Sequence, residues 1–534
     1  MTGSPWSGTG HLLRLHLRLD RIRITVWALA IGVSVAASMA TFRETYTTPE
    51  SLQARAGLLG NPAAVMMTGP AFSLDDYTFG AMVANELSLW LFIASGIMSV
   101  LLVVRHTRAE EESGRLEVVR ALPIGRYAPP TAAIVTVAVA NLAVGLAVVA
   151  GIVGAGIDMD SAWALGAGTA LTGMVFAAVA AVAAQFTEHA RSATGIAWVV
   201  MALAFLVRGV GDVIDNQGSW LSWFSPFAWA QQTRMWTGLR WWPLALSAVA
   251  VFVLVGVAVA LARRRDLGAG LRAPSPSPAR AAPSLLSSPG LARRLLTGSF
   301  LAWTAATFLF AVAFGSLANS LGEFLDDLPE LANWIQLDLA DITESFAAAM
   351  LSFLVVGPAL LAVASILRLR SEEGFARTEA MLVTGATRSR HLGGWLAVIA
   401  VGTLVMTAFT GLGVGLGMWL GTGDPSWVGR LTLGALAYLP AILLLGAVAV
   451  AIYGLVPAAT AWAWAPVVWA TLVLYLGELL NLPSWMRNLS PIEWAPLVPA
   501  EPVEAVPLIV MGVLALGLTA LGFAAFRRRD VVPG

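Results

Sequence analysis

Long apolar segments alternate with short polar ones along almost the whole chain. Each apolar segment is close to the roughly 20 residues that a helix needs to cross the ~30 Å hydrocarbon layer of a membrane. Helices satisfy their backbone polar groups without water, and nothing here alternates with the two-residue period of a membrane β-barrel strand. The pattern predicts an all-α polytopic membrane protein with about twelve spans: 24–42, 85–105, 128–153, 161–186, 192–212, 243–262, 299–318, 346–368, 391–418, 427–452, 457–480 and 505–526.

Arginine is concentrated in alternate loops between these spans and at both termini. Because basic residues favour the cytoplasmic side, both termini and the arginine-rich loops are predicted to be cytoplasmic. The arginine-rich start leads into the first span without a small-residue cleavage pattern, so no cleavable signal peptide is expected. The loop after the seventh span lacks arginine and is predicted to face outside, with the acidic residues Glu323, Asp326, Asp327, Glu330, Asp338, Asp341 and Glu344.

Composition excludes several kinds of chemistry. The chain is 58% hydrophobic and 12% charged, far from the averages of soluble domains. It has no cysteine, which excludes disulfides and thiolate chemistry. All 32 of its Lys and Arg residues are arginine, so the lysine of an ATP-binding P-loop is missing. The five histidines show no metal-ligand spacing. We therefore expect neither an ATPase nor a metal site in this chain.

The chain reads as two similar halves. A Pro/Ser-rich stretch predicts a cytoplasmic linker at 263–290 between a first half, 1–262, and a second half, 291–534. A shift of about 264 residues aligns RRRD at 263–266 with RRRD at 527–530, WFSPFAW at 223–229 with NLSPIEW at 488–494, and GDVID at 211–215 with GELLN at 477–481. These matches predict duplicated six-span halves in the same orientation.

A charged segment follows the second span of each half. The first reads RAEEESGRLEVVRALPIGR from Arg108, and the second reads RSEEGFARTEAMLVTGATR from Arg370. Acidic residues in the first turn and an arginine four residues later favour a short amphipathic helix, predicted at about 108–122 and 370–385. A single such helix would be expected only to solvate its loop. Two at equivalent positions indicate a surface that a symmetric soluble partner could bind.

The R-x-E-E-x-x-x-x-x-E pattern between the second and third spans of a six-span unit resembles the ABC-2-type permease family, whose fold is that of the type V exporters. The fused arrangement is similar to duplicated permeases of the tetronasin-transport kind, which export polyketide antibiotics. In that family the segment is a coupling helix that docks on a separate ATPase subunit. The resemblance assigns this role to Glu111, Glu112, Arg115, Glu117, Glu373, Arg377 and Glu379. The second copy departs at Gly374 and Ala376, where the first has Glu112 and Gly114, so the two ATPases could be held unequally.

The resemblance implies a multi-pass permease of the bacterial plasma membrane. Its partners would be two copies of a cytoplasmic ABC ATPase, a hydrophobic small-molecule substrate and membrane lipids, with no nucleic acid. The chain itself would need no cofactor, since ATP and Mg²⁺ would bind to the partner subunits. It further implies a surface amphipathic helix at 11–24 before the first span, and a re-entrant hairpin at 220–242.

Ionisable residues near the membrane are the remaining candidates for function. Arg208, Asp212, Asp215 and Glu478 could form an outer gate, although Arg208 and Asp212 lie one helical turn apart and could simply pair. The many tryptophans of 220–242 are better explained as an interfacial aromatic belt than by the re-entrant hairpin. The glycines of 411–417 predict close helix packing.

Three functions remain open. The first is a permease that exports hydrophobic or amphipathic molecules, powered by ATPases on the two coupling helices. The second is a proton- or ion-coupled secondary transporter, which would need buried carboxylates at mid-membrane; the acidic residues instead cluster at span ends. The third is a membrane-embedded transferase, for which only the acidic loop at 323–344 offers a concentration of acid groups, without a motif.

Overall fold

The computed structural model describes residues 4–60, 62–154, 156–266, 268–271, 280, 282–316, 318, 339–476 and 482–531. Within these ranges the secondary structure is helical, and no strand occurs. The same ranges contain 12 helices that are long and apolar enough to cross a membrane. The predicted fold class, an all-α polytopic membrane protein, is confirmed. Packing divides the chain into two compact units, Met1–Pro276 and Ser277–Gly534.

The first unit is built around its fourth span. The helices are α1 (Thr9–Thr45), α2 (Pro49–Leu59), α3 (Pro62–Thr68), α4 (Phe79–His106), α5 (Arg108–Glu112), α6 (Arg115–Arg120), α7 (Ala128–Val153), α8 (Met159–Phe186), α9 (Ala190–Ile214), α10 (Pro226–Gln231) and α11 (Pro243–Ala262). α8 packs against α4, α7, α9 and α11, while α1 packs along α7. Small residues allow this, since a Cβ on Gly166 of α8 would lie 2.7 Å from the Gly145 carbonyl oxygen of α7.

The first helix corrects one expectation. A separate amphipathic helix was expected at 11–24, but α1 runs without a break from Thr9 to Thr45 and includes that segment. At about 1.5 Å per residue, its 37 residues are much longer than a ~30 Å hydrocarbon layer. Asp20, fully buried on this extension, forms an ion pair with Arg105 near the end of α4 (3.2 Å). The polar segment therefore continues the span beside α4.

Two short helices fill the loop between the first and second spans. α2 begins with a capping box, in which Thr48 and Ser51 bond to each other's backbone N–H. Arg55 of α2 donates two hydrogen bonds to Glu86 of α4, at 3.1 and 2.7 Å. These bonds raise the pKa of Arg55 and hold the loop against the second span.

The second unit has the helices α12 (Ser288–Ser316), α13 (Leu339–Leu354), α14 (Val356–Gly374), α15 (Arg377–Val383), α16 (Arg388–Thr422), α17 (Ser426–Ala437), α18 (Leu439–Leu455), α19 (Trp464–Leu476), α20 (Ser484–Arg487) and α21 (Ala505–Arg528). α12 packs along α16, α14 along α18, and α18 along α21. Counted from the start of each unit, these pairs are the first and third, the second and fourth, and the fourth and sixth spans. The same spans pack together in the first unit, as the pairs α1–α7, α4–α8 and α8–α11. Most of the acidic loop predicted at 323–344 lies outside the described residues; Glu344 pairs with Arg430 of α17 at 2.5 Å.

Candidate functional site

The first charged segment (108–122) is two short helices instead of one. α5 ends at Glu112, and α6 begins at Arg115. Between them Gly114 has φ 73°, a left-handed conformation that only glycine adopts without strain. The prediction of a single helix here was wrong because a left-handed residue cannot continue a right-handed helix.

The second charged segment (370–385) has the same break. Its first turn is the end of α14, and α15 begins at Arg377. Ala376 precedes α15 with φ 58°, at the position that corresponds to Gly114. The backbone N–H of each residue also donates to the carbonyl of the matched glutamate, from Gly114 to Glu111 at 3.0 Å and from Ala376 to Glu373 at 2.9 Å. The two segments therefore share a backbone geometry despite the substitution of alanine for glycine.

Glu111 is buried in a contact within the first unit. Arg265, the third arginine of the first RRRD motif, donates to both of its carboxylate oxygens, at 2.7 and 2.8 Å. Arg108 also donates to Glu111. The side chains of Glu111 and Arg265 are only 9% and 8% exposed. A carboxylate enclosed in this way holds the charged segment to the end of α11 and is not available to an external partner.

Glu373 makes the equivalent contact in the second unit. Arg529, the third arginine of the second RRRD motif, donates to both of its carboxylate oxygens, at 2.6 and 2.7 Å. Burial disfavours a charged Arg529, but its bonds to Glu373 raise the pKa of the guanidinium above its ordinary value. The ring of Tyr453 lies 5.1 Å from the same guanidinium. Both units thus tie the charged segment to the residues that follow their last span.

The other matched charges lie on the surface. Glu117 of α6 and Glu379 of α15 are exposed, and each short helix also exposes a valine, Val118 in α6 and Val383 in α15. Arg115 pairs with Glu110 at 3.5 Å, and the corresponding Arg377 pairs with Glu372 at 3.1 Å; both arginines are more than half exposed.

Glu112, which has no counterpart in the second segment, is 45% exposed. It accepts a bond from the Ala190 backbone N–H at the start of α9 (2.9 Å). The part of the segment that a partner can reach is therefore the helix after each break and, in the first segment, Glu112 as well.

Sequence reasoning did not find Arg265 and Arg529. The RRRD motifs were visible and aligned the two halves, but each arginine lies more than 150 residues from its glutamate, 154 and 156 residues respectively. No local spacing rule joins such positions. The available signal was that an RRRD motif and an E-E pair recur together in each half.

Arg208 and Asp212, the central gate candidates, form a buried ion pair on α9 at 3.0 Å. Arg208 also donates to the carbonyls of Val65 and Met66 in α3. Asp212 accepts a bond from the Ser222 hydroxyl at 2.6 Å. The pair therefore holds α3 and the segment after α9 against the end of the fifth span.

The remaining gate candidates do not join that cluster. Asp215 is exposed at the end of α9, where it accepts a bond from the Gln217 backbone N–H at 3.0 Å. Glu478 lies outside the described residues.

The tryptophan-rich stretch at 220–242 forms a 3₁₀ turn (Ser222–Phe224) and α10, and α10 packs against α4, α8, α9 and α11. The Trp229 indole N–H donates to the Trp223 carbonyl at 2.6 Å. In the second unit, the Trp494 indole donates to the Asn488 carbonyl at 2.9 Å. These are the first and last residues of WFSPFAW and NLSPIEW, so the two motifs close on themselves in the same way.

A buried cluster of titratable groups joins α1 to α4. The carboxylate of Asp20 contacts His106, and it pairs with Arg23 at 2.7 Å. The ring of His16 stacks on that of His106, with centroids 4.1 Å apart. The described residues contain no group of three or more His, Cys, Asp or Glu placed to hold a metal ion.

An apolar groove of about 700 Å³ lies between α12 and α16 in the second unit. Its walls include Phe300, Phe308, Val401 and Phe409, and Arg293 lies among the lining residues. This volume is within the range of pockets that hold drug-sized ligands.

Comparison with known proteins identifies the family. A family model described as "Multidrug efflux system permease Rv1217c, C-terminal domain" matches residues 10–263 and 285–527, one stretch in each unit. The multidrug efflux system permease protein Rv1217c of Mycobacterium tuberculosis (strain ATCC 25618 / H37Rv) is 35% identical over 538 aligned positions, which cover 99% of this chain and 96% of the relative. With twelve helices among the described residues able to span a membrane, the chain is a multi-pass protein of the bacterial plasma membrane. It belongs to the family of multidrug efflux system permeases that includes Rv1217c.

Proposed function

We propose that this efflux permease is the membrane-spanning part of an ABC exporter of the ABC-2 type, powered by separate ATPase subunits. The subunits bind the two charged segments, 108–122 and 370–385. One observation carries the proposal. Both segments break at a left-handed residue and then present a short helix with an exposed glutamate at the matched position, Glu117 or Glu379. A symmetric pair of ATPases requires such a matched pair of surfaces.

One chain would bind two ATPase subunits, because it carries both docking segments. ATP and Mg²⁺ would be held by those subunits, and the chain itself would take no cofactor. The first segment also holds Glu112, which the second replaces with Gly374. We therefore expect the two ATPases to be bound with unequal strength.

The proposed cargo is hydrophobic or amphipathic, of the drug or antibiotic kind exported by the tetronasin-type permeases. The name of the Mycobacterium tuberculosis relative describes multidrug efflux. The apolar groove between α12 and α16 has the size and lining that such a molecule needs.

Transport in inverted membrane vesicles tests the proposal. Vesicles would contain the chain together with its cognate ATPase, and a lipophilic fluorescent dye would report transport. We expect ATP to drive dye accumulation that a protonophore does not abolish. The proposal would be wrong if accumulation needed a proton gradient and ran without ATP.

Variants of the docking surface sharpen this test. Glu117→Arg combined with Glu379→Arg reverses an exposed charge on each short helix and should release the ATPase during co-purification. Glu44→Arg is the matched control, because Glu44 is an exposed carboxylate at the opposite end of α1 from the Asp20 cluster. Retention of the ATPase by the double variant would show that these helices are not the docking sites.

A proton-coupled transporter is the second candidate, favoured by the buried Asp20–His106–His16 cluster. Under this mechanism His106→Asn would abolish dye transport driven by an imposed proton gradient. Under the proposed mechanism no such transport exists in the unmodified protein.

A further inference from the structure

We propose that the Glu111–Arg265 and Glu373–Arg529 ion pairs are the mechanical links through which the ATPases move the last span of each unit. The two contacts are called the bidentate pairs below. This inference rests on the proposed function, because it requires ATPases on the charged segments. It assigns Glu111, Arg265, Glu373 and Arg529 as positioning residues, distinct from the surface that the ATPases touch.

The first bidentate pair is the centre of a larger contact. Arg265 donates through Nε to the Gln185 side-chain oxygen at the end of α8 (2.7 Å) and through Nη1 to the Ala269 carbonyl (3.1 Å). Arg108 donates to the same Ala269 carbonyl at 2.9 Å. The end of the second span, the end of the fourth and the chain after the sixth therefore meet at one guanidinium.

The second bidentate pair joins the equivalent elements. Glu373 belongs to the end of α14, the eighth span, and Arg529 follows α21, the twelfth span. Arg529 lies over the rings of Tyr453, at the end of the tenth span, and Phe526, at 5.1 and 5.0 Å. Arg388, at the start of the ninth span, donates to the Arg529 carbonyl at 2.5 Å. The partners of the arginine differ between the units, but in both units it joins the second, fourth and sixth spans of that unit. In the second unit the start of the ninth span of the chain joins as well, through Arg388.

Burial and geometry make each pair suitable for transmitting force. Two parallel charge-assisted bonds fix the orientation of a guanidinium against a carboxylate, which a single bond does not. Separating buried partners would leave an uncompensated charge, which is strongly unfavourable. Displacement of the charged segment is therefore expected to carry the last span with it.

The left-handed break separates this link from the docking helix. Glu111 and Glu373 precede Gly114 and Ala376, whereas the exposed α6 and α15 follow them. When an ATPase tilts α6 or α15, the left-handed residue moves with that helix. The movement then reaches the bidentate pair, which lies just before the left-handed residue in the chain. Without the pair the short helix could move while the last span stayed in place.

The test removes both charged partners of each bidentate pair together. Arg108, whose buried side chain also pairs with Glu111, keeps its bonds to the carbonyls of Thr187 and Ala269. Glu111→Gln with Arg265→Met keeps an acceptor for Arg108 and an apolar side chain of similar length, and Glu373→Gln with Arg529→Met is its counterpart. Arg264→Ala and Arg528→Ala are the controls, because they are exposed neighbours in the same RRRD motifs. The readouts are ATPase co-purification, melting temperature, and the ratio of dye-stimulated to basal ATP hydrolysis.

We expect the paired variants to retain the ATPase and to melt within a few degrees of the unmodified protein. Their stimulation ratio should fall at least about fivefold, the lower end of typical coupling between sites. Arg265→Lys and Arg529→Lys, which keep the charge but lose the two-bond geometry, should fall in between. The control variants should retain full stimulation.

A covalent substitute for the pair gives a second, independent test. The chain has no cysteine, so Glu111→Cys with Arg265→Cys introduces the only two thiols. A flexible bifunctional thiol reagent that joins them should restore stimulation, while each single cysteine variant treated in the same way should remain uncoupled.

The outcomes separate the two proposals. If the unmodified chain neither binds the ATPase nor stimulates it, the proposed function fails. If the unmodified chain is stimulated and the paired variants are stimulated equally, the mechanical link is refuted while the proposed function stands. A folded, fully cross-linked variant that stays uncoupled would also refute the link.

Discussion

At the residue scale, the two left-handed positions of the charged segments offer a matched experiment. Gly114 has φ 73° with open space around its Cβ position, and Ala376 has φ 58°. A left-handed conformation costs a non-glycine residue roughly 1–2 kcal/mol. The first unit avoids this cost and the second does not.

Exchange of these residues should therefore have opposite effects. We predict that Gly114→Ala lowers the free energy of unfolding by about 1 kcal/mol and that Ala376→Gly raises it by a smaller amount, since glycine also makes the unfolded chain more flexible. Chemical denaturation in detergent measures both. Equal destabilisation by the two changes would contradict the left-handed assignment at Ala376.

Variants of the buried pair Arg208–Asp212 can distinguish a gating role from a structural role as an anchor. Its contacts to α3 and to Ser222 are those of an anchor. We predict that Arg208→Met alone costs about 3–5 kcal/mol, because it leaves the Asp212 carboxylate buried and unpaired. Arg208→Met with Asp212→Asn should cost clearly less.

Dye transport by the double variant completes that test. An anchor predicts transport close to normal once the protein is folded. Loss of transport in a double variant of normal melting temperature would favour a gate.

At the element scale, glycines of α16 allow two neighbouring helices, α12 and α17, to pack closely against it. Gly411 and Gly415 face α17, where a Cβ on Gly415 would lie 2.7 Å from the Val428 Cα. Gly413 and Gly417 face α12, where a Cβ on Gly413 would lie 2.8 Å from the Phe308 carbonyl oxygen. Spacing by four residues puts each pair on one face of the helix. The packing role predicted for this stretch is confirmed.

Enlarging one of these glycines should separate the helices. We predict that Gly415→Leu destabilises the second unit by more than about 3 kcal/mol, above the usual cost of overpacking, because backbone atoms of α17 block the new side chain. Gly429→Ala in α17 is the control, since no atom lies within 4 Å of its Cβ position. The control should be neutral or stabilising, as measured by thermal unfolding in detergent.

Apolar length allowed the spans to be predicted, but it misplaced their ends. The first and seventh spans were expected at 24–42 and 299–318, whereas α1 and α12 begin at Thr9 and Ser288. Their early turns are polar, so hydropathy excludes them although they are helical. Similarly, Gly114 offered a local hint of a break, but nothing in the residue type of Ala376 indicates a left-handed backbone.

The contacts within the candidate site were beyond such local patterns. Charge order predicted a pair at a spacing of four residues, Glu111 with Arg115, within one continuous helix. Arg115 instead pairs with Glu110, and Arg377 pairs with Glu372, because both arginines lie past the break. The bidentate pairs depend on how the last span of each unit packs beside the fourth span, which no spacing along the chain reveals. A repeated motif showed that the positions matter, and the fold was needed to show what they contact.

At the scale of the whole molecule, one chain carries both of the segments proposed to dock the ATPases. We predict a complex of one permease chain with two ATPase subunits, measurable by native mass spectrometry. Glu117→Arg or Glu379→Arg alone should leave one ATPase bound, and the two changes together should leave none. Loss of both ATPases from either single variant would indicate that the subunits bind only as a preformed dimer.

The bidentate pairs also constrain how such a chain can diverge. A buried arginine that loses its carboxylate, or the reverse, leaves an uncompensated charge, so loss of one partner should be followed by loss of the other. The third arginine of each RRRD motif and its glutamate should therefore covary among relatives, and independently in the two halves. Halves that evolve under separate constraints can specialise. A relative that keeps only one bidentate pair would be an exporter in which one ATPase moves its last span, while the other ATPase binds without moving one.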